Sequence, residues 1–233
     1  MRVAEIWRFP VKSMGGERID QVALTAHGVD GDRAWGVVDV STGLVLTARR
    51  EPALLFLSAS HRVGRRPEVR TETGDVVPDD AALSEVLSRA VRLRPASDGP
   101  GTFESPLVVD DVGRESEWVS WESAGSTFHD GASTVSVVST DTLGDWDARR
   151  FRSNIVVEGA GEDDWSGQVS IGSAVLAIRR PIDRCVMVTR AQPGLPNDLS
   201  VLRRVMAERR NRLAIGATVA RPGVVTVGDR IVP

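Results

Sequence analysis

Short apolar runs, each broken by a polar or glycine-containing turn, recur along the N-terminal third of the chain. Within most of them apolar and polar residues alternate, which is typical of strands with one buried face. Ser41, Thr42 and Gly43 form a hairpin turn between two of these runs. The pattern predicts strands at residues 3–9, 19–24, 34–40, 44–48, 55–63 and 68–73.

Few segments carry apolar residues at helical spacing. Asp79 can cap a helix over residues 79–90, in which Leu83 and Val86 share one face. A short helix is predicted at 141–146, and a third begins at Asn197 or Asp198 and runs to about Asn211. The prediction for the whole chain is a mainly β fold with a few helices, of the α+β class.

The C-terminal half repeats the β pattern after a segment rich in Pro, Gly and Ser at residues 95–105. That composition favours a domain boundary, so we expect one domain at residues 1–100 and a second at 101–233. Predicted strands in the second part lie at 106–110, 117–121, 134–138, 155–158, 168–171 and 174–180, with a final hairpin at 222–232. Many short strands with regular turns are typical of barrels and sandwiches.

Composition narrows the functional classes. The chain has 233 residues, 41% of them hydrophobic and 26% charged, with a net charge of −3. No basic excess points to nucleic acid as a partner. The N-terminus lacks the apolar core of a signal peptide and no stretch has the length of a membrane span, so we expect a cytoplasmic protein without a membrane partner.

Cys185 is the only cysteine, and four arginines stand within six residues of it. Fixed positive charge favours the thiolate, which attacks electrophiles and binds soft metals. The alternation of Val186 and Val188 around it also fits a strand carrying an inert, half-buried thiol, and the local pattern leaves both interpretations open. One cysteine excludes an intrachain disulfide, a cysteine-rich zinc site and a self-contained iron–sulfur cluster.

Several predicted loops place a cation beside a small hydrogen-bonding side chain. Lys12 is notable because it is the only lysine in a chain whose other basic residues are all arginine. Such groups would hold an oxyanion if the fold brought them together, although each could equally be a surface charge on a turn. The candidates are Lys12 with Ser13, Arg33, Arg152 with Asn154, and Arg184 beside Cys185. Neither a dinucleotide fingerprint nor a P-loop is present.

These motifs, in this order, resemble a known family. FPVKS at 9–13, GDRAW at 31–35 and LTARREPAL at 46–54 resemble the N-terminal β-barrel domain that precedes MOSC domains. FRSNIVV at 151–157, Arg184-Cys185 with Thr189, and VGD at 227–229 resemble the MOSC domain itself. The resemblance implies a MOSC β-barrel domain preceded by a smaller β-rich domain, with a molybdenum cofactor, Mo-molybdopterin, between them.

The resemblance also implies roles for individual residues. Cys185 matches the position of the family's molybdenum ligand, which makes it the expected metal-binding and catalytic residue. The positions expected to contact the pterin and its phosphate are Lys12, Ser13, Arg33, Ser133, Arg152, Asn154, Asp183 and Arg184. The sequence departs from the family pattern at residues 190–194 and matches it poorly between 110 and 134.

Relatives with this pattern include the mitochondrial amidoxime-reducing component and bacterial reductases of N-hydroxylated bases. The function so implied is an oxidoreductase that reduces small N-hydroxylated substrates with electrons from a separate electron-transfer protein. A second hypothesis is a protein that carries sulfur or handles the cofactor, with a persulfide or the cofactor itself on Cys185.

Overall fold

The computed structural model describes residues 1–106, 114, 116–123 and 126–232. Its helices are α1 (Asp80–Val86), α2 (Thr140–Leu143) and α3 (Leu199–Arg209). Short 3-10 helices lie at Pro52–Phe56, Ala96–Asp98, Ala148–Arg150, Glu162–Asp164 and Val186–Thr189. The described strands are β1 (Val3–Arg8), β2 (Glu17–Ile19), β3 (Gln21–Thr25), β4 (Gly28–Val29), β5 (Trp35–Asp39), β6 (Ser58–Ser60), β7 (Glu68–Arg70), β8 (Val76–Val77), β9 (Val91–Pro95), β10 (Thr102–Pro106), β11 (Trp118–Glu122), β12 (Val135–Ser139), β13 (Ile155–Val157), β14 (Gln168–Ile171), β15 (Ala174–Asp183), β16 (Arg212–Arg221), β17 (Gly223–Thr226) and β18 (Ile231–Val232).

The largest sheet has eight strands in the order β18-β14-β15-β16-β12-β13-β1-β2. All of its pairs are antiparallel except β12 with β13. The first strand of the chain therefore belongs to a sheet built mostly from the C-terminal half, with Ile6 opposite Ile155. Both residues are fully buried in the main core, and this burial of apolar surface holds the first strand against the C-terminal half of the chain.

A second core lies under smaller sheets formed by residues 35–95. Strand β5 pairs with β9, and β6, β7 and β8 form a three-stranded sheet. Helix α1 packs its Leu83 into this core against Leu54 and Val69. Asp79 caps α1 by accepting a hydrogen bond from the backbone N–H of Ala82, as predicted.

The predicted mainly β class with a few helices is confirmed, as are the strand starting at Val3 and the cap of α3. Asp198 caps α3 by accepting from the N–H of Ser200. Strand β16 was not predicted; it is one of the two longest described strands and lies between β15 and β12. None of the described helices is long and apolar enough to cross a lipid bilayer.

Three predictions of local structure are wrong. Residues 44–48 form no strand: Val45 makes a single bridge to Val38, and the chain then turns because the N–H of Arg50 bonds to the carbonyl of Thr47. The strand predicted at 55–63 is reduced to β6, since Pro52 starts a 3-10 helix ahead of it. The final hairpin is also absent, because β17 pairs with β3 and β18 pairs with β14. The predicted strand at 106–110 falls largely on residues 107–110, outside the described part.

Candidate functional site

A cavity of about 620 Å³ opens where the segments that follow β1, β4 and β15 meet the segments that precede β12 and β13. All nine residues that were expected to contact the metal or the cofactor line this cavity. The cavity lining includes Lys12, Ser13, Arg33, Ser133, Arg152, Asn154, Asp183, Arg184 and Cys185. Residues separated by more than 170 positions thus share one surface, as a common binding site would require.

Lys12 lies on the inner wall of the cavity with only 5% of its surface exposed. Its ammonium donates to the carbonyl of Phe128 at 3.0 Å, forms an ion pair with Asp130 and sits 4.3 Å from the centre of the Phe103 ring. Burial lowers the pKa of Lys12, although Asp130 acts in the opposite direction. Asp130 also accepts from Arg49 at 3.1 Å, so one carboxylate fixes two cations of the cavity.

Arg33 is held by a fully buried carboxylate. Asp32 pairs with Arg33 and also accepts from the backbone N–H of Phe9 at 2.7 Å. The oxygen that pairs with Arg33, Oδ2, also lies 3.2 Å from Nε2 of His129. Burial alone would raise the pKa of Asp32, but Arg33 and His129 hold it down at about 2, so the carboxylate stays ionised at neutral pH.

Arg152 faces the same wall from the segment between α2 and β13. Two guanidinium groups contact the Phe9 ring, whose centre lies 4.7 Å from the guanidinium of Arg33 and 4.3 Å from that of Arg152. Arg152 donates through Nη1 to the carbonyl of Met14, while its buried Nη2 has no hydrogen-bond partner. Burial, and then the charge of Arg33, lower the pKa of Arg152 to about 9. An uncompensated buried cation of this kind is stabilised by a bound anion.

Cys185 does not lie in a strand, contrary to one interpretation of its flanking valines. Strand β15 ends at Asp183, and Cys185 precedes the 3-10 helix Val186–Thr189, in which Val186 and Val188 are buried. The thiol itself is half-buried on the cavity wall. Burial alone would lower the pKa of Arg49, but the nearby Cys185 sulfur and Asp130 raise it.

Arg184 and Arg150 position the cysteine. Arg184 donates to the carbonyls of Leu213 at 2.8 Å and Phe151 at 2.9 Å, which anchors the end of β15 against neighbouring segments. Burial lowers the pKa of Arg184 to about 10, and its Nη2 is buried without a partner. Arg150, 6% exposed, binds carbonyls on the loop that follows Cys185, including that of Val188 at 3.2 Å.

The other predicted residues differ in how free they are to bind a ligand. Asn154 is engaged on both sides of its amide: Oδ1 accepts from Ser136, and Nδ2 donates to the carbonyl of Trp7 at 3.3 Å. Ser13 Oγ accepts from the N–H of Ala48 at 3.0 Å. Asp183 is 64% exposed in its side chain and faces Arg212 at 3.5 Å, so it lies at the rim of the cavity.

The backbone of the cavity wall is strained at four non-glycine residues. Ser13, Arg33, Arg152 and Asn211 all have positive φ, at 70°, 48°, 53° and 64°. Left-handed conformations cost such residues about 1–3 kcal/mol each and cluster at functional sites. The strained backbone thus occurs at residues whose charged or hydrogen-bonding side chains line one cavity.

The chemistry of the lining fits an anionic ligand bearing phosphate. Three guanidinium nitrogens on this cavity are buried without partners, namely Arg49 Nη1, Arg152 Nη2 and Arg184 Nη2. Buried donors without partners are costly, and arginine matches phosphate geometry. Among the described residues no group of three His, Cys, Asp or Glu side chains could hold a metal ion. A metal bound here would have to bring ligands of its own, with the Cys185 thiolate as one protein ligand.

Arg49 and Arg150 were not singled out from the sequence. Both are single members of adjacent arginine pairs in an arginine-rich chain, so residue type alone gives no signal. Arg49 could have been found from its place in the LTARREPAL run, which belongs to the same family pattern as Lys12 and Arg33.

Two protein-family models match this chain, one in each half. Residues 1–93 match the MOSC N-terminal beta barrel domain and residues 128–232 match the MOSC domain. Molybdenum cofactor sulfurase 2 of Aedes aegypti is 24% identical over 81% of this chain and 26% of its own length. Mitochondrial amidoxime-reducing component 1 of Mus musculus is 24% identical over 80% of this chain and 65% of its own length. The chain thus spans less than two thirds of either relative.

Two solved structures show limited likeness. The YUAD protein of Bacillus subtilis superimposes over 99% of this chain and 93% of its own, with a TM-score of 0.49 and 15% identity. YiiM of Geobacillus stearothermophilus covers 43% of this chain and 53% of its own, with a TM-score of 0.35 and 17% identity.

Proposed function

The chain belongs to the family of MOSC-domain proteins that carry the MOSC N-terminal β-barrel domain, and on that basis we propose that it is a molybdenum-cofactor oxidoreductase that reduces N-hydroxylated compounds. The observation that carries the proposal is the convergence of three unpartnered guanidinium nitrogens on a cavity that also exposes the only cysteine. The name of the Mus musculus relative supports the reductase assignment.

In this proposal the inner wall holds the anionic part of the cofactor. Arg33, Arg152 and Arg184 would bind its phosphate and pterin oxygens, with Lys12 contributing charge from beneath. Cys185 would ligate the molybdenum through its thiolate, beside Arg49 on the cavity wall. When bound, the cofactor supplies two-electron redox chemistry at a metal that can accept an oxygen atom.

The protein's own contribution is placement and charge. Reduction of an N-hydroxyl group to N–H consumes two electrons and two protons and releases water. Asp32 and Asp130 fix the cations of the wall before ligand arrives, so little reorganisation accompanies binding. Arg150 and Arg184 hold the two sides of the Cys185 turn through backbone carbonyls, which fixes the direction of the thiolate.

The electrons would come from another protein. One cysteine cannot hold a cysteine-ligated iron–sulfur cluster, and these 233 residues contain neither a flavin nor a nicotinamide fingerprint. We predict that cofactor-loaded protein with an N-hydroxylated substrate is inactive with NADH alone and turns over with a chemically reduced viologen dye. Steady turnover with NADH and no added protein would contradict the need for a separate electron-transfer protein.

The second candidate is a sulfur carrier or cofactor-handling protein, which the name of the Aedes aegypti relative favours. Cys185 would then bear a persulfide, its terminal sulfur delivered by a cysteine desulfurase. Mass spectrometry of Cys185 after incubation with desulfurase and cysteine tests this. A persulfide on a molybdenum-free protein that fails with the viologen dye would favour the carrier over the reductase.

A further inference from the structure

The hairpin of β10 and β11 lies outside both family matches. Residues 94–127 fall between the two matched ranges, yet this segment contributes Ser105, Pro106 and Trp121 to the cavity that holds Cys185. The shared domains supply the inner wall, and a part of the chain that they do not account for supplies part of the mouth. Differences in ligand selection between family members are expected at such a segment.

The hairpin is fixed to the body of the protein rather than loosely attached. Two hydrogen bonds close its base. The N–H of Gly101 donates to Ser123 Oγ and the N–H of Ser123 donates to the carbonyl of Gly101, both at 2.9 Å. Phe103, only 1% exposed, packs with Val45 and Phe128. Gly101 permits this close approach, because a Cβ there would lie 2.5 Å from both the Phe128 ring and Val45.

The two tryptophans of β11 have different surroundings. Trp118 lies opposite Pro106, and the guanidinium of Arg50 covers its ring at 3.7 Å. Trp121 lies opposite Phe103, with ring centres 5.8 Å apart, and remains 44% exposed while lining the cavity. Large exposed aromatic rings at the mouth of a cavity mark ligand contact.

Trp121 faces a cavity with further apolar surface close to the metal-binding position. Pro181, Ile182 and Met187 line the cavity on either side of Cys185 in the sequence. Phe103, which supports the Trp121 ring, also carries the Lys12 ammonium at 4.3 Å. Phe103 therefore connects the Trp121 ring to the wall that would hold the cofactor.

We propose that Trp121 is a specificity-determining residue, a stacking platform that makes the enzyme prefer N-hydroxylated substrates with a flat aromatic ring over small aliphatic ones. This inference rests on the proposed reductase function. The ring of the substrate would lie against the exposed part of Trp121 and the apolar side chains around Cys185, with the N-hydroxyl group directed to the metal-binding position.

The test compares an aromatic with an aliphatic substrate. Cofactor-loaded protein and reduced methyl viologen are assayed with benzamidoxime and with acetamidoxime, which lacks the ring. An aromatic contact contributes roughly a fivefold to tenfold preference, so Trp121→Ala should lower the ratio of the two kcat/KM values by about that factor. Trp121→Phe should restore most of the ratio, and Trp118→Ala, on the same strand but covered by Arg50, should leave it unchanged.

An unchanged ratio of the two kcat/KM values in Trp121→Ala, including an equal fold loss on both substrates, would overturn the inference. Calorimetric titration of benzamidoxime into oxidised, cofactor-loaded protein separates this inference from the reductase proposal. Failure of turnover with both substrates would sink the reductase, whereas benzamidoxime binding that weakens in Trp121→Ala but not in Trp118→Ala would still support the platform. Equal binding to both variants and to the unaltered protein would refute it.

Discussion

The inner wall and the rim of the cavity differ in how far their side chains are exposed to solvent. The inner wall consists of Lys12, Arg33, Arg152 and Arg184, whose charged groups are largely removed from water and held by ion pairs or backbone carbonyls. The rim includes Asp183 and Trp121, which stay in contact with solvent. An ion pair or charged hydrogen bond is stronger on the wall than on the rim, because water and salt screen exposed charges.

Under the proposed function, one cavity performs two tasks. A tightly held anionic cofactor needs fixed, desolvated cations, whereas an exchanging substrate needs an accessible surface with modest contact energy. Unpartnered guanidinium nitrogens occur on the wall and on its neighbour Arg49, but the exposed aromatic ring occurs on the rim. Substitutions in the wall should therefore affect cofactor retention, and substitutions on the rim should affect the choice of substrate.

The largest effect is expected at Cys185, where wall and rim meet. Cys185→Ala should abolish turnover with the viologen dye while most of the fold and much of the cofactor binding remain. One protein–metal bond is lost, but the cationic contacts stay, and removing a side chain of this size costs at most a few kcal/mol of packing. Turnover at the unaltered rate in the purified variant would contradict the assignment of Cys185 as the metal ligand.

A smaller effect is expected at Asp32, which supports the wall without lining the cavity. Its folded pKa of about 2 lies below the ordinary value, so the ionised carboxylate stabilises the fold above about pH 4. That contribution is lost as the pH falls towards 2. Asp32→Asn should lower the free energy of unfolding by about 3 kcal/mol at pH 7, since breaking a buried pair leaves Arg33 uncompensated.

Urea unfolding at pH 7, 4 and 3 measures the Asp32 effect. The difference between the unaltered protein and Asp32→Asn should shrink towards acid pH. Asp145→Asn is the matched control, because the Asp145 side chain is 82% exposed and its pair with Arg204 spans 3.6 Å. A constant difference at all three pH values would mean that the Asp32 charge does not stabilise the wall.

Much of this arrangement could be predicted from sequence, and the remainder has physical reasons. Lys12, Arg33 and Arg152 stand in short polar segments bounded by strands, and the fold brings them to one cavity. Positive φ at Arg33 and Arg152 could not be predicted, because glycine or asparagine usually occupies a position with this backbone conformation and arginine rarely does. Tertiary contacts also decided that the valines beside Cys185 enter a 3-10 helix rather than a strand.

The place of Trp121 at the cavity could not be predicted from the sequence for a different reason. Its segment matches neither family domain, and an isolated tryptophan in a strand is usually a core residue. Only the pairing of β10 with β11 places Trp121 on Phe103 and directs it to the cavity. The wall residues thus lie in segments that match the family domains, as does Asp183 on the rim, whereas Trp121 lies outside both matches.

The central claim is that the inner wall retains an anionic molybdenum cofactor, and molybdenum and phosphorus per chain measure it most directly. Protein produced in cofactor-competent cells should contain both near one per chain. Each of Lys12→Ala, Arg33→Ala and Arg152→Ala should lose about tenfold or more in affinity, because charge-assisted hydrogen bonds to phosphate contribute roughly 1.5–3 kcal/mol. Arg65→Ala, at an exposed turn outside the cavity, should match the unaltered protein. Equal occupancy in all variants, or none in the unaltered protein, would contradict the account.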